Sequence, residues 1–149
     1  MSRRRGFTLI EIAIVVALMG IIGGYAAPRL VEARVRASSR SATQGIIAQV
    51  TRARTIASRR RISTRVILSS STIRALGTVG GVEQEILPPL NVTSDFGVSL
   101  TSSRGEVRFD SRGFASGLTA AVEVTTYHGS VTSAVCISRY GNARAGRCL

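Results

Sequence analysis

The longest apolar run in the chain covers residues 7–27, where Thr8 and Glu11 are the only clearly polar side chains. As an α-helix with a rise of about 1.5 Å per residue, this run measures about 32 Å, which matches a bilayer hydrocarbon core of about 30 Å. Three arginines precede it within residues 1–6, and such charges stay on the cytoplasmic side. The pattern therefore predicts one inner-membrane span, with the rest of the chain in the periplasm.

Residues 29–61 have a different pattern, in which apolar positions recur every three or four residues among arginines. These positions are Ile46, Ile47, Val50, Ala53 and Ala57. The spacing is that of an amphipathic helix. Pro28 favours a kink or a break at the exit from the membrane, but no further proline follows up to Arg61, so we expect the helix to continue. Gly45 is a weak point in it.

Beyond Arg61 the chain changes to short alternating or β-branched runs bounded by Gly, Ser, Pro and Asp, which are typical of strands and turns. We predict strands at 62–68, 72–79, 84–87, 98–101, 106–109, 121–127 and 134–138, and Pro88 and Pro89 are expected to end the third. The predicted fold class is α+β. A long N-terminal helix, membrane-spanning in its lower half (7–28) and amphipathic in its upper half (29–61), packs on an antiparallel β-sheet head (62–149).

The charge of the chain is strongly positive, at +12, because all 20 of its basic residues are arginine and only 8 residues are acidic. Removal of residues 1–6 would take away just three of these arginines. Such an excess favours polyanionic partners, such as nucleic acid or anionic lipid head groups. The alternative is a genome that uses arginine in place of lysine, which accounts for the missing lysine but not for the net charge.

Two cysteines, Cys136 and Cys148, lie near the C-terminus of a chain whose N-terminus is typical of an exported protein. An oxidising compartment favours a disulfide between them. Closing this loop would stabilise the folded state by roughly 3 kcal/mol on the chain-entropy model. Two free thiols are the alternative.

Glu11 is difficult to reconcile with an ordinary secretory signal, although residues 26–28 form a weak version of a signal-peptidase site. A carboxylate one turn into an apolar membrane helix costs a few kcal/mol and requires a functional reason.

The segment Gly6-Phe7-Thr8-Leu9-Ile10-Glu11 resembles the prepilin peptidase motif of type IV pilins and type II secretion pseudopilins. The resemblance implies that residues 1–6 are a leader, that prepilin peptidase cuts between Gly6 and Phe7, and that the new Phe7 amine is methylated. It also implies that Glu11 pairs with the Phe7 amine of a neighbouring subunit during assembly. Pro28 stands where family members often carry a helix-kinking proline. A membrane anchor that is never cleaved would require the match to be accidental.

The predicted head also resembles one branch of that family, the GspH/FimT-type minor pilins and pseudopilins, over residues 106–113 and 135–141. The resemblance implies the pilin fold and a structural subunit of a type IV pilus or a type II secretion pseudopilus. Such a subunit has other pilins or pseudopilins as partners. It first resides in the inner membrane, with its head in the periplasm, and then in a periplasmic or surface filament.

The chain has too few candidate catalytic or metal-binding residues for an enzyme, and we predict no catalytic residue, no metal site and no cofactor. The single His128 stands in a predicted hairpin loop, the acids are scattered, and residues 113–117 are expected to form a turn rather than a nucleophile elbow.

DNA uptake during natural transformation is the alternative function. Some FimT-type minor pilins bind DNA through a C-terminal Gly-Arg-x-Arg loop, and the matching stretch here is Gly141-Asn142-Ala143-Arg144, in which one arginine is replaced. Arg139, Arg144 and Arg147 could still bridge phosphates without reading bases. The alternative is that these arginines are only solvated surface residues, or that they contact acidic patches of neighbouring subunits. For a second cluster, residues 59–61 with Arg65, the helix macrodipole is the favoured explanation.

Overall fold

The computed structural model describes residues 8–148, except the side chains of residues 25–28, and divides into two compact units, Met1–Arg34 and Val35–Leu149. Helix α1 (Leu9–Arg60) is the longest element, with 52 residues. The predicted helix is therefore continuous and passes through Pro28.

The two ends of α1 are closed by local hydrogen bonds. The Thr8 hydroxyl accepts a bond of 3.3 Å from the Glu11 amide, as an N-cap residue does. At the other end, the Ile62 amide donates to the Ala57 carbonyl at 3.2 Å, which is the longer bond of a Schellman motif. Arg61 adopts a left-handed φ of 53° there, and it is the one non-glycine residue with a positive φ in the described part of the chain.

The part of α1 in the first unit is apolar and uncovered. All described side chains from Leu9 to Gly24 are exposed. The helix contains an 18-residue window of mean hydropathy 2.2, which is long and apolar enough to cross a bilayer.

The second unit contains the rest of α1, nine strands and one short helix. These elements are β1 (Thr64–Leu68), β2 (Thr72–Val79), β3 (Val82–Asn91), α2 (Val92–Phe96), β4 (Ser99–Ser102), β5 (Glu106–Phe109), β6 (Ala115–Ser116), β7 (Val122–His128), β8 (Val131–Ile137) and β9 (Ala143–Ala145). They form two antiparallel sheets, with strand orders β3-β2-β1-β5-β6 and β4-β7-β8-β9.

One core joins α1 to both sheets. The helix contributes a buried stripe that includes the predicted Ile46, Val50, Ala53 and Ala57. It packs with side chains of the first sheet, such as Val66 and Phe109, and of the second sheet, such as Val124 and Ile137. The apolar positions predicted from Ile46 to Ala57 therefore lie in or against the core of the second unit. Gly45 is close-packed, since an added Cβ would lie 3.3 Å from Leu90.

The structure corrects the expectation that Pro88 and Pro89 end a strand. Both lie inside β3, which continues to Asn91. Because β3 is the outermost strand of its sheet, the missing amide groups cost it few ladder bonds. The register also shifts between Ile73 and Ala75, opposite the two prolines, and such an irregularity accommodates them.

Further differences concern the short elements and the number of sheets. The head holds two sheets where one was expected, and strands β6 and β9 and helix α2 were not predicted. Residues 113–117 contain strand β6 as well as a turn, and His128 is the last residue of β7 rather than a loop residue. Elements of two to five residues contain too few side chains to show a period.

Candidate functional site

The N-terminal motif is described from Thr8 onward, so the predicted cleavage residues Gly6 and Phe7 lie outside the described residues, as does the side chain of Pro28. Glu11 lies in the first turn of α1 and is exposed. Within the described part of the chain, its carboxylate has no ion-pair partner. Thr8 and Glu11 also stand at capping-box spacing, and the Thr8 hydroxyl caps the helix by accepting from the Glu11 amide, a contact that the sequence analysis missed.

The predicted disulfide joins Cys136 of β8 to Cys148, with a Cα–Cα distance of 5.0 Å. The Cys148 amide also donates to Glu123 Oε2 at 3.1 Å. The disulfide therefore closes a hairpin made of β8, residues 138–142 and β9, and it holds the C-terminal segment on the second sheet.

The three arginines of this closed hairpin are all exposed, but they occupy different parts of it. Arg139 lies in the turn, where its guanidinium stands 5.2 Å from the centre of the Tyr140 ring and donates to the Tyr140 hydroxyl at 3.3 Å. Arg144 lies on β9 opposite Cys136, and Arg147 follows β9. Neither Arg144 nor Arg147 has a hydrogen-bond or ion-pair partner among the described residues, so both guanidinium groups can reach an external anion.

Asn142, which replaces an arginine of the expected pattern, is used inside the fold. Its side-chain oxygen accepts a hydrogen bond from the guanidinium of Arg54 on α1. Arg54 also donates through Nε to the Gly113 carbonyl at 2.9 Å. One helix side chain thus holds the β8–β9 turn and the β5–β6 turn together. Sequence reasoning missed this link, because 88 residues separate Arg54 from Asn142.

Gly141 allows the β8–β9 turn to approach the core. Its φ is +87°, and an added Cβ would lie 2.5 Å from Cε1 of Phe109. No other residue type satisfies both the left-handed backbone and the contact with the ring.

The arginines of the first sheet are paired with carboxylates. Arg65 lies 2.5 Å from Glu83 and 3.3 Å from Glu106, and Arg108 lies 2.7 Å from Glu106. These pairs are partly exposed, and each is worth little stability. Arg65 is therefore a member of a neutralised network, unlike Arg59, Arg60 and Arg61, which are exposed and have no ion pair among the residues described.

Asp110 organises the β5–β6 turn. Its Oδ1 accepts bonds of 2.9 Å from the amides of Phe114 and Arg112, and its Oδ2 lies 3.3 Å from the Arg112 Nε. These bonds, chiefly the one from Phe114, hold the pKa of the carboxyl below its usual value. His128 is half-buried, and its ring lies close to Gly97. Among the described residues, its buried Nδ1 has no hydrogen-bond partner.

Comparison with known proteins gives one sequence match and several structural ones. Residues 1–27 match the family model described as the prokaryotic N-terminal methylation motif. No curated protein matches the chain significantly.

Two kinds of minor subunit share the fold. A crystal structure of the type IV minor pilin FimU of Pseudomonas aeruginosa has a TM-score of 0.62 and 13% identity, and the alignment covers 75% of this chain and 90% of that chain. A structure of the minor pseudopilin EpsH from the type II secretion system of Vibrio cholerae has a TM-score of 0.58 and 11% identity, covering 72% and 95% of the two chains. A second EpsH structure gives 0.60 and 10%, with 77% and 99% covered.

The sequence match covers residues 1–27, and the structural matches cover about three quarters of the chain. The first covers the apolar N-terminal segment, and identities this low show the fold alone. This chain thus carries the N-terminal methylation motif and the fold of the type IV pilin and pseudopilin family.

Proposed function

We propose that this protein is a minor pilin or pseudopilin, a non-enzymatic structural subunit of a type IV pilus or a type II secretion pseudopilus. The observation that carries the proposal is the methylation motif at the start of an uncovered apolar helix that continues into a pilin-fold head. Residues 1–6 form the leader, 7–28 the membrane and assembly helix, 29–61 the amphipathic helix and 62–149 the strand-rich part of the head. The precursor resides in the inner membrane, and the mature chain joins a periplasmic or surface filament.

Glu11 is the assembly residue in this proposal. An exposed carboxylate on an apolar helix surface is unfavourable in lipid unless a cation pairs with it. The Phe7 amine of a neighbouring subunit supplies that cation, and the pair sets the register between subunits. Pro28 allows the helix to bend between the membrane part and the head.

Processing is tested by expressing the full chain with and without a prepilin peptidase and measuring its intact mass. We expect the loss of residues 1–6 and the gain of one methyl group on Phe7. Gly6→Ala should block the cut, whereas Glu11→Ala, the matched control in the same motif, should leave it intact. An uncut wild-type chain would contradict the proposal.

A DNA-binding minor pilin is the second candidate, and the unpaired, exposed Arg144 and Arg147 on a disulfide-closed hairpin favour it. Arginines held on a closed loop can contact phosphates at a low cost in conformational entropy. Asn142 weakens this candidate, because it contacts Arg54 and contributes no charge.

The test is the affinity of the processed full chain, in detergent, for duplexes of unrelated sequence across a salt series. For a DNA receptor, we expect Arg144→Ala with Arg147→Ala to weaken binding to all duplexes and to reduce the salt slope by about 2, since each lost phosphate contact removes about 1. Arg52→Ala with Arg104→Ala removes the same charge elsewhere and is the control. Equal losses of DNA affinity in both variants would show that binding depends on net charge and not on this hairpin. Absence of binding at low salt would exclude this function.

A further inference from the structure

Exposed apolar side chains of the second unit are concentrated at one end of it. Within the described residues 35–148, the large ones are Val79, Val82, Phe114, Tyr127 and Tyr140. All except Tyr127 lie at strand ends or in turns close to the C-terminal end of α1: Val79 ends β2, Val82 begins β3, Phe114 precedes β6, and Tyr140 lies between β8 and β9. Val82 is 68% exposed and Phe114 is 51% exposed, so at least half of each side chain is in contact with solvent.

Three contacts bring these elements together. The Thr78 amide donates to the Ser63 carbonyl at 3.0 Å, which places the β2–β3 hairpin tip beside the end of α1. Gly113 lies against the last turn of α1, since an added Cβ would be 3.2 Å from that of Ser58. The β8–β9 turn lies on Phe109, the residue that pairs with Thr64 directly after the helix.

Three exposed arginines, Arg59, Arg60 and Arg61, lie at the same end of the second unit, at the C-terminus of α1. All three complement the helix macrodipole, and Arg61 is an arginine although its left-handed backbone favours glycine. The carboxylates nearby are already engaged, because Glu83 pairs with Arg65 and Asp110 with Arg112. The end therefore combines uncompensated positive charge with exposed apolar area. We call it the basic-apolar surface, made of Arg59, Arg60, Arg61, Val79, Val82 and Phe114.

We propose that the basic-apolar surface is the docking site for a partner protein whose face has an apolar centre rimmed by Asp and Glu side chains. Such a face would cover the two valines and Phe114 and would pair with the three guanidinium groups, so that charge steers the approach and apolar burial holds the complex. The inference deepens the proposed function, on which it rests, by naming the surface and the chemistry of a neighbouring subunit.

Other occupants fit less well. A second processed copy would still carry a large excess of arginine over acidic residues, because cleavage removes only three arginines, and it would be repelled. Nucleic acid would pair with the arginines and could stack a base on Phe114, but it would leave the aliphatic Val79 and Val82 uncovered. An acidic protein face uses both the charge and the apolar area.

The proposal is tested with the full chain in its own host by placing the photo-crosslinking residue benzoylphenylalanine at Val82 and, as a matched control, at Tyr127. Tyr127 is also exposed, at 43%, but it lies near the end of β7 that is away from the β8–β9 turn and from the basic-apolar surface. We expect position 82 to give an adduct with another protein, at a peptide containing Asp or Glu, and position 127 to give none of that adduct. An adduct with a second copy, with lipid or with nucleic acid, or no adduct at all, would overturn the proposal.

Charge reversal separates specific docking from chance proximity. Arg59→Glu with Arg60→Glu should reduce the adduct at least tenfold, and replacing the crosslinked acidic residues of the partner by arginine should restore it. An adduct that is unaffected by the charge reversal would contradict docking through the arginines of the basic-apolar surface. Cleavage and methylation of the same variants, read from intact mass, should stay normal. A variant that is processed but does not crosslink shows that docking at the basic-apolar surface is separate from processing. An unprocessed wild type would contradict the proposed function alone.

Discussion

At the scale of single residues, the C-terminal hairpin is positioned by a few side chains that have no sequence motif. Gly141, Asn142 and Arg54 together bring the turn onto Phe109 and onto α1. The sequence pattern around Gly141 suggested an incomplete DNA-binding motif, and the structure shows that the side-chain oxygen of Asn142 accepts a hydrogen bond from Arg54. A local pattern cannot reveal this, because its partner lies on a distant helix.

Gly141→Ala tests the contact with Phe109. Both the left-handed backbone and the 2.5 Å approach to the ring oppose a Cβ, so we expect a loss of a few kcal/mol of unfolding free energy. Gly117→Ala is the control, because Gly117 also has a positive φ, of 73°, but open space around it. Denaturant unfolding should show a loss that is larger for Gly141→Ala by about 1–3 kcal/mol. Equal losses would show that the ring contact is unimportant.

Asp110 should make the β5–β6 turn sensitive to acid. Because folding lowers the pKa of this carboxyl, its contribution is complete above the ordinary value of 3.8 and is lost as the pH falls through the lower pKa of the folded state. The amide signal of Phe114, which donates to Asp110, should therefore shift in NMR spectra with a midpoint below 3.8. In Asp110→Asn that midpoint should disappear. A midpoint at or above the ordinary value would contradict the assignment.

At the scale of elements, periodicity predicted the long ones well and the short ones poorly. Helix α1 and strands such as β2 and β7 contain enough alternating or helical positions to be recognised. Strand β3 was predicted too short, because proline normally excludes a central strand, and the sequence does not reveal that β3 lies at an edge. Strands β6 and β9 depend on tertiary pairing with β5 and β8, which a local pattern does not contain.

The end of α1 provides a prediction at this scale. Arg61→Gly should raise the unfolding free energy by up to about 1 kcal/mol, because glycine adopts the left-handed backbone without the cost that a side chain carries. Arg59→Gly, inside the helix, should lower it by about 1 kcal/mol. Both variants lose one charge, so thermal or denaturant unfolding separates backbone conformation from electrostatics. A loss of stability in Arg61→Gly would show that its side chain stabilises the fold.

At the scale of the whole molecule, the sequence predicted the two parts of the chain and the chemistry of each. The apolar run with its leader motif indicated the membrane and assembly segment, and the arginine excess indicated an anionic or acidic partner. Where the charge would act was not predictable, because ion pairs such as those of Arg65 form across strands. Among the described residues, some arginines pair with carboxylates, as Arg65 does, and others hydrogen-bond to uncharged oxygens, as Arg54 does. Exposed arginines without an ion pair among the described residues, such as Arg144 and Arg147, are the best placed to bind a partner.

In the proposed function, the chain assembles into a filament through Glu11, whose carboxylate pairs with the amine of a neighbouring subunit. The amount of mature protein in the purified filament fraction of its host should be compared for wild type, Glu11→Ala and Glu32→Ala, with intact mass confirming equal processing. We expect wild type and Glu32→Ala to be incorporated equally and Glu11→Ala to fall at least tenfold, because its helix no longer neutralises the amine of a neighbour. Equal incorporation of all three, or no wild-type protein in filaments, would contradict the account.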